Sequence, residues 1–142
     1  MNQRRLEDYS SSKDFSEIFE IPLEDSYYPT LLKNIKKPPE TLYARGNIEL
    51  LKKPSIAIVG TRKPSAEGEY YSKKITEFFV KNGFVIVSGL AVGVDSIVAK
   101  TALDSDGYII NVLPSPVDVI IPKKTIFLQR KPLKNVVFLF LK

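Results

Sequence analysis

Residues 55–89 read SIAIVGTRKPSAEGEYYSKKITEFFVKNGFVIVSG, and the fold turns on how this stretch is parsed. SIAIVG is a near-continuous apolar run of strand length, the pattern of a strand buried on both faces. It breaks at Gly60 into a hydroxyl, two adjacent cations, a proline and a second hydroxyl. From Ala66 to Asn82, Tyr71, Ile75, Phe78 and Phe79 recur at i, i+4, i+7 and i+8, which predicts a helix with these residues on its core-facing side. Gly83 is placed to end that helix in a left-handed conformation. FVIVSG then predicts a second buried strand. Strand, helix and strand at this spacing make a parallel pair joined by a right-handed crossover.

The pattern extends outward in both directions. Downstream, a helix is predicted over Asp95–Leu103 with Val94, Ile97, Val98 and Ala102 facing inward. GYIINVLP, residues 107–114, reads as a third strand and NVVFLFL, residues 135–141, as a fourth. Upstream, TLYARG, residues 41–46, reads as a short strand ended by Gly46 and Asn47, and LLKKPS as a connector. Leu31, Leu32 and Ile35 keep helical spacing until Pro38 and Pro39 stop it. Residues 1–20 are polar and charged, a loose tail or a short amphipathic helix. The expectation is a three-layer α/β core of about four mainly parallel strands with SIAIVG at its centre.

Composition removes whole classes of chemistry. The chain of 142 residues has no cysteine and no histidine, so disulfides, thiolate metal sites and triads built on an imidazole are excluded. Its apolar fraction of 44% suits one core. The N-terminus lacks the apolar stretch of a signal peptide, and no run approaches the roughly 18 apolar residues of a membrane span, so a cytoplasmic protein is expected. The net charge of +5 is uneven: residues 1–50 carry −2 and residues 51–142 carry +7. A basic half suits a polyanionic partner, although lysines also simply solvate a surface.

Two loops follow the first two predicted parallel strands, at the strand ends where open α/β sheets bind ligands. In the first, Gly60 admits close backbone approach, Thr61 and Ser65 offer hydroxyls, and the following helix start favours an anion. Arg62 suits bidentate phosphate contact and Lys63 adds a point charge. The plain alternative is a helix capped by Ser65 with both cations solvated. The second loop, SGLAVGVD, places Gly89 and Gly93 around a small-residue turn. Asp95 is read there as a cap of the next helix, and the loop as a second wall of the same pocket. The third strand ends in LPSPVDVIIPKK, whose Lys123 and Lys124 extend the basic rim. Tyr70, Tyr71 and Phe84 offer rings for base stacking but at their spacing read as core. The glycines fit neither a dinucleotide fingerprint nor a P-loop.

The ordered series Tyr28–Pro29, PPETLYARGN, IAIVGTRKPSAEG, FVIVSGLAVGVDSIVAKTAL and INVLPSPVDVIIPKK resembles the DNA-processing protein A (DprA/Smf) family over roughly residues 27–124. The resemblance implies a Rossmann-like three-layer α/β sandwich that binds single-stranded DNA without catalysis or cofactor. It further implies a role in natural transformation, with RecA loading and homodimer formation. The family's phosphate-facing positions fall on Gly60, Thr61, Arg62 and Ser65, on Ser88, Gly89, Leu90 and Ala91, and on Gly93 and Asp95. Two departures stand out: Val92 replaces a usual arginine and Ala99 a usual histidine. The expected organisation is an N-terminal extension over residues 1–26 and a family domain over residues 27–142. That domain is expected to be incomplete in its C-terminal half, because the later part of the family's domain has an RNR-type segment, a further glycine/serine loop and much of the dimer surface. KPLKNVVFLFLK does not resemble the family's continuation, and Val137, Phe138 and Phe140 are expected to lie on an under-covered side of the sheet. Two other readings stay open. One is a nucleotide-ligand binder or phosphoribohydrolase-like relative on the same fold, against which stands the lack of a PGGxGTxxE-like segment. The other is an inactive remnant.

Overall fold

The computed structural model describes residues 17–114 and 133–142. Its elements, in chain order, are β1 (Ile18–Pro22), α1 (Thr30–Lys33), β2 (Thr41–Gly46), a 3-10 helix (Ile48–Lys52) and β3 (Ser55–Ala57), then α2 (Ala66–Lys81), β4 (Val85–Ser88), α3 (Val94–Asp104), β5 (Ile109–Leu113), a 3-10 turn (Leu133–Asn135) and β6 (Val136–Leu141). The strands form one sheet of order β1-β2-β6-β5-β4-β3. β3, β4, β5 and β6 run parallel, while β2 is antiparallel to both β1 and β6. The α/β class and the mainly parallel sheet are those expected from the sequence.

Two clusters fill the two faces. Over one face, α3 lays Val94, Val98, Ala99 and Ala102 onto Ile86, Ile109, Leu113, Val136 and Phe138. Over the other, Tyr28, Ile48 and Leu50 pack on Ile21, Leu42, Ala44, Val85, Ile110, Val137 and Leu139. The Tyr28 hydroxyl donates to the Pro39 carbonyl at 2.7 Å and pins this layer. Helix ends follow their chemistry. Ser65 Oγ accepts from the Gly68 N–H at 3.1 Å, and Gly83 adopts φ +84° just beyond α2.

Four expectations are corrected. SIAIVG is not central: among the described residues β3 pairs with β4 alone and forms an edge of the sheet, with Val59 68% exposed. Ile56 and Ile58 do pack beneath the helices, but Ala57 and Val59 face a side that nothing covers among the described residues. The centre belongs instead to β5 and β6, so Val137 and Phe138 are core residues rather than under-covered ones, and Phe140 is half-buried. Third, the sheet takes in Ile18–Pro22, a strand that starts within residues 1–20, read as a tail or helix, and lies wholly within the 1–26 extension.

Fourth, α2 has the predicted span but the opposite orientation. It packs through Gly68, Ser72, Thr76, Phe79 and Val80, while Tyr71, Ile75 and Phe78 are 53%, 46% and 60% exposed. Small residues let α2 approach α3 and β4 closely. Thr76 is fully buried because its hydroxyl donates back to the Ser72 carbonyl at 2.7 Å. The core reading of Tyr70 and Tyr71 therefore fails, whereas Phe84 is half-buried edge-on against Phe79.

Candidate nucleic-acid interface

The loops after β3 and β4 meet at the carboxyl ends of their strands. The Val94 N–H donates to the Thr61 carbonyl at 3.0 Å, and the Gly60 N–H points to Asp95 Oδ1 at 3.4 Å. Below them, the buried Ser88 hydroxyl donates to the Ile58 carbonyl at 2.8 Å and ties the end of β4 to β3. The glycines explain how close the two segments come. A Cβ on Gly93 would lie 2.4 Å from the Thr61 carbonyl oxygen, and φ there is +88°. A Cβ on Gly60 would lie 2.9 Å from Val94, and one on Gly89 2.8 Å from Asp95 Oδ2. These glycines admit another part of the same chain. At Gly60, where the sequence suggests close approach of a ligand, the space left by the missing side chain is taken by Val94.

The interlock sorts the sequence-predicted residues into two sets. Gly60, Thr61, Arg62, Lys63 and Ser65 are exposed on the rim. The Thr61 hydroxyl accepts from the Lys63 N–H at 3.2 Å, a local turn that fixes the two cations side by side. Ser88, Leu90 and Asp95 are buried beneath that rim, with Gly89, Ala91 and Gly93 half-buried. Leu90 adopts φ +59°, uncommon for a residue with a Cβ, and Ser96 Oγ donates to the Ala91 carbonyl at 2.7 Å. Asp95 does not cap α3. Gly93 holds the cap position without a side-chain bond, and Asp95, one residue into the helix, reaches across to the first loop. Val92 is 43% exposed and leaves the second loop without a cation on this rim. Lys123 and Lys124 lie outside the described residues.

The acidic residues Glu67 and Glu69 stand in the first turn of α2, next to the rim cations, and complement the helix dipole there. Sequence reasoning did not find Asn111. It is fully buried in β5, level with Ser88 in the sheet register, and neither of its amide atoms has a hydrogen-bond partner among the described residues. Its only signal was one polar residue within IINVL. Two clefts lie away from these loops, one beside Pro38, Pro39 and Tyr43, the other between Asn47, Lys53 and Tyr108. Among the described residues there is no group of three or more acidic, histidine or cysteine side chains able to hold a metal, and no helix is long and apolar enough to cross a membrane.

Fold and site together define an α/β protein with two interlocked loops at the carboxyl ends of parallel strands and a cationic rim above them. Residues 20–140 match the family model described as DNA recombination-mediator protein A, and the chain belongs to that family. The match continues through most of β6, where the sequence alone showed no resemblance. The DNA processing protein DprA of Streptococcus pneumoniae is 36% identical over 125 residues, 88% of this chain and 44% of that protein. Protein Smf of Synechocystis is 40% identical over 103 residues, 70% of this chain and 26% of that one. In three dimensions the chain matches the X-ray structure of the pneumococcal DprA with a TM-score of 0.78 at 34% identity, covering 94% of this chain and 47% of that one. It matches Helicobacter pylori DprA, whose structure was described for its single-stranded DNA binding mode, with a TM-score of 0.73 at 28% identity, over 91% of this chain and 57% of that one. The chain thus spans about half the length of these solved relatives, and less than half of the two curated ones.

Proposed function

We propose that this chain binds single-stranded DNA through its phosphates, without catalysis, on the rim formed by Gly60, Thr61, Arg62, Lys63 and Ser65. The observation that carries the reading is the placement of Arg62 and Lys63. They are exposed and adjacent, on a loop that Val94 and Asp95 anchor from below. An anchored loop presents its cations without a large ordering cost on binding. A guanidinium there suits a phosphate oxygen pair, and contacts of this kind carry affinity without sequence preference. Family membership and the DNA-binding relative from Helicobacter pylori support the same reading. In the cell the protein then takes part in DNA uptake by natural transformation, delivers single strands to RecA and self-associates, as a cytoplasmic protein. Gly89, Leu90, Ala91, Gly93 and Asp95 act here as the support of the rim.

Fluorescence anisotropy with labelled single-stranded and duplex DNA at two salt concentrations tests the proposal. Each phosphate neutralised on a single strand contributes a slope of about −0.7 in log affinity against log salt. Arg62→Ala is expected to weaken binding to every single strand alike, by about one to two decades, and to make the slope shallower. Lys63→Ala is expected to cost less, because lysine is a point charge on a flexible stem. A folded Arg62→Ala protein with unchanged affinity and slope would remove the rim from consideration. If the wild type ignores DNA but binds a small nucleotide in an Arg62-dependent way, the nucleotide-ligand reading replaces this one.

A further inference from the structure

Arg62 and Lys63 on their own would hold a duplex as readily as a single strand, because both carry phosphates. What distinguishes a single strand is its unpaired bases, which stack on exposed rings. Two such rings stand in the second turn of α2. Tyr70 and Tyr71 are 56% and 53% exposed, and neither belongs to a core cluster. Their ring centroids lie 5.3 Å apart with the planes at 80°, and a pair set edge to face leaves at least one face of each ring open. Ser65, on the rim, caps this helix, and Tyr70 follows it by five residues, about 7.5 Å along the axis. Helical side chains lean toward the N-terminus, here toward the rim. Lys74, one turn further on, holds its ammonium 5.6 Å from the Tyr70 ring centroid. Its other partner is Glu77 at 3.9 Å on the open surface, a weak tie that a phosphate can replace.

We propose that Tyr70 and Tyr71 are the base-stacking platform of the single-strand site, and the residues by which this chain prefers single strands to duplex. The proposal rests on the phosphate-rim reading above: Arg62 and Lys63 hold the backbone, and the next bases lie on the two rings. Charge argues for this occupant. Exposed cations at both ends of the ring pair, Arg62 and Lys63 before it and Lys74 after it, match an anionic chain that carries flat apolar groups. Glu67 and Glu69, in the first turn, repel phosphate but not an uncharged base. A strand held on the rim therefore turns its bases, rather than its backbone, toward this face of α2.

The test compares, by fluorescence anisotropy, a labelled oligothymidylate with an abasic strand of equal length, which has the same phosphates and no bases. The wild type is expected to favour the strand with bases by about five- to hundredfold. The double variant Tyr70→Leu with Tyr71→Leu should lose that preference and bind both strands as the wild type binds the abasic one. Tyr70→Phe with Tyr71→Phe should keep it, since the rings remain. Both positions are exposed, so the variants should stay folded. Arg62→Ala should instead weaken both strands alike, which keeps failure of the platform and failure of the rim apart. The platform is overturned, and the rim stands alone, if the wild type binds both strands equally or the leucine variant keeps the full preference while Arg62→Ala still weakens binding. A wild type that binds neither strand overturns both readings. The platform is also overturned if the chain sediments as a dimer that the leucine variant dissolves, since a second copy then occupies this face.

Discussion

Gly93 is the residue on which the two loops depend. Its φ of +88° and the Thr61 carbonyl 2.4 Å from where a Cβ would stand leave no room for a side chain. Gly93→Ala is expected to lower stability by about 1–3 kcal/mol in urea unfolding and to loosen the loop that presents Arg62. Asn111 points the other way. Its amide is buried with both polar atoms unpartnered among the described residues, so the shape-conserving change Asn111→Leu is expected to raise stability by about 1–3 kcal/mol. A lowered urea midpoint would show instead that the amide has a partner in solution. At this scale the sequence was readable where a residue acts on its own backbone: Ser65 caps α2 and Gly83 ends it. Asp95 was misread because an acid near a helix start looks like a cap. Its real partner, the Gly60 N–H, lies 35 residues away in sequence.

Elements were legible in kind and span, and less so in orientation. The apolar periodicity of residues 66–82 found α2 within one residue of its end, but of the stripe it marked only Phe79 packs inward, while Tyr71, Ile75 and Phe78 face solvent. Periodicity says which side of a helix is apolar; it says nothing of whether a neighbour covers that side. SIAIVG failed for the same reason, since apolarity on both sides of a strand does not supply a second neighbour. The small residues Gly68, Ser72 and Thr76, which do face the interior, leave no hydrophobic signal. The cap, by contrast, is a local device, and Ser65→Ala is expected to cost about 1 kcal/mol. Thermal unfolding compared with a Ser72→Ala control should show that loss, and circular dichroism should locate it in helix content.

On the scale of the whole molecule, the segments on either side of β2, residues 23–40 and 47–52, cover one face of the sheet, and Tyr28 ties them down. Burial raises the pKa of its phenol above the ordinary value of 10. The neutral form is therefore the one the fold favours. Its contribution is fully present below the unfolded pKa and is lost as pH rises through the higher folded one. Wild type and Tyr28→Phe should accordingly differ by about 1 kcal/mol at pH near 8, where the bond to Pro39 is intact, and converge or cross at pH near 11. Urea midpoints at the two pH values measure this. The mixed sheet was only partly legible from sequence. The parallel βα units announce themselves by alternation, whereas the pairing of β2 with β6 joins residues 41–46 to a strand almost a hundred positions later, and no local pattern encodes that.

That pairing also sets the order in which the molecule can assemble. β6 lies between β2 and β5, so before it is in place the β1–β2 hairpin and the β3–β4–β5 unit are two separate half-sheets. Contacts of such long sequence separation are slow to form, because a large loop must close before any bond rewards it. During synthesis the chain passes through an interval in which β2 and β5 both present bare edges, the condition under which strands pair with the wrong partner. Residues 136–141, made after the other five strands, end that interval by entering the gap and joining the halves.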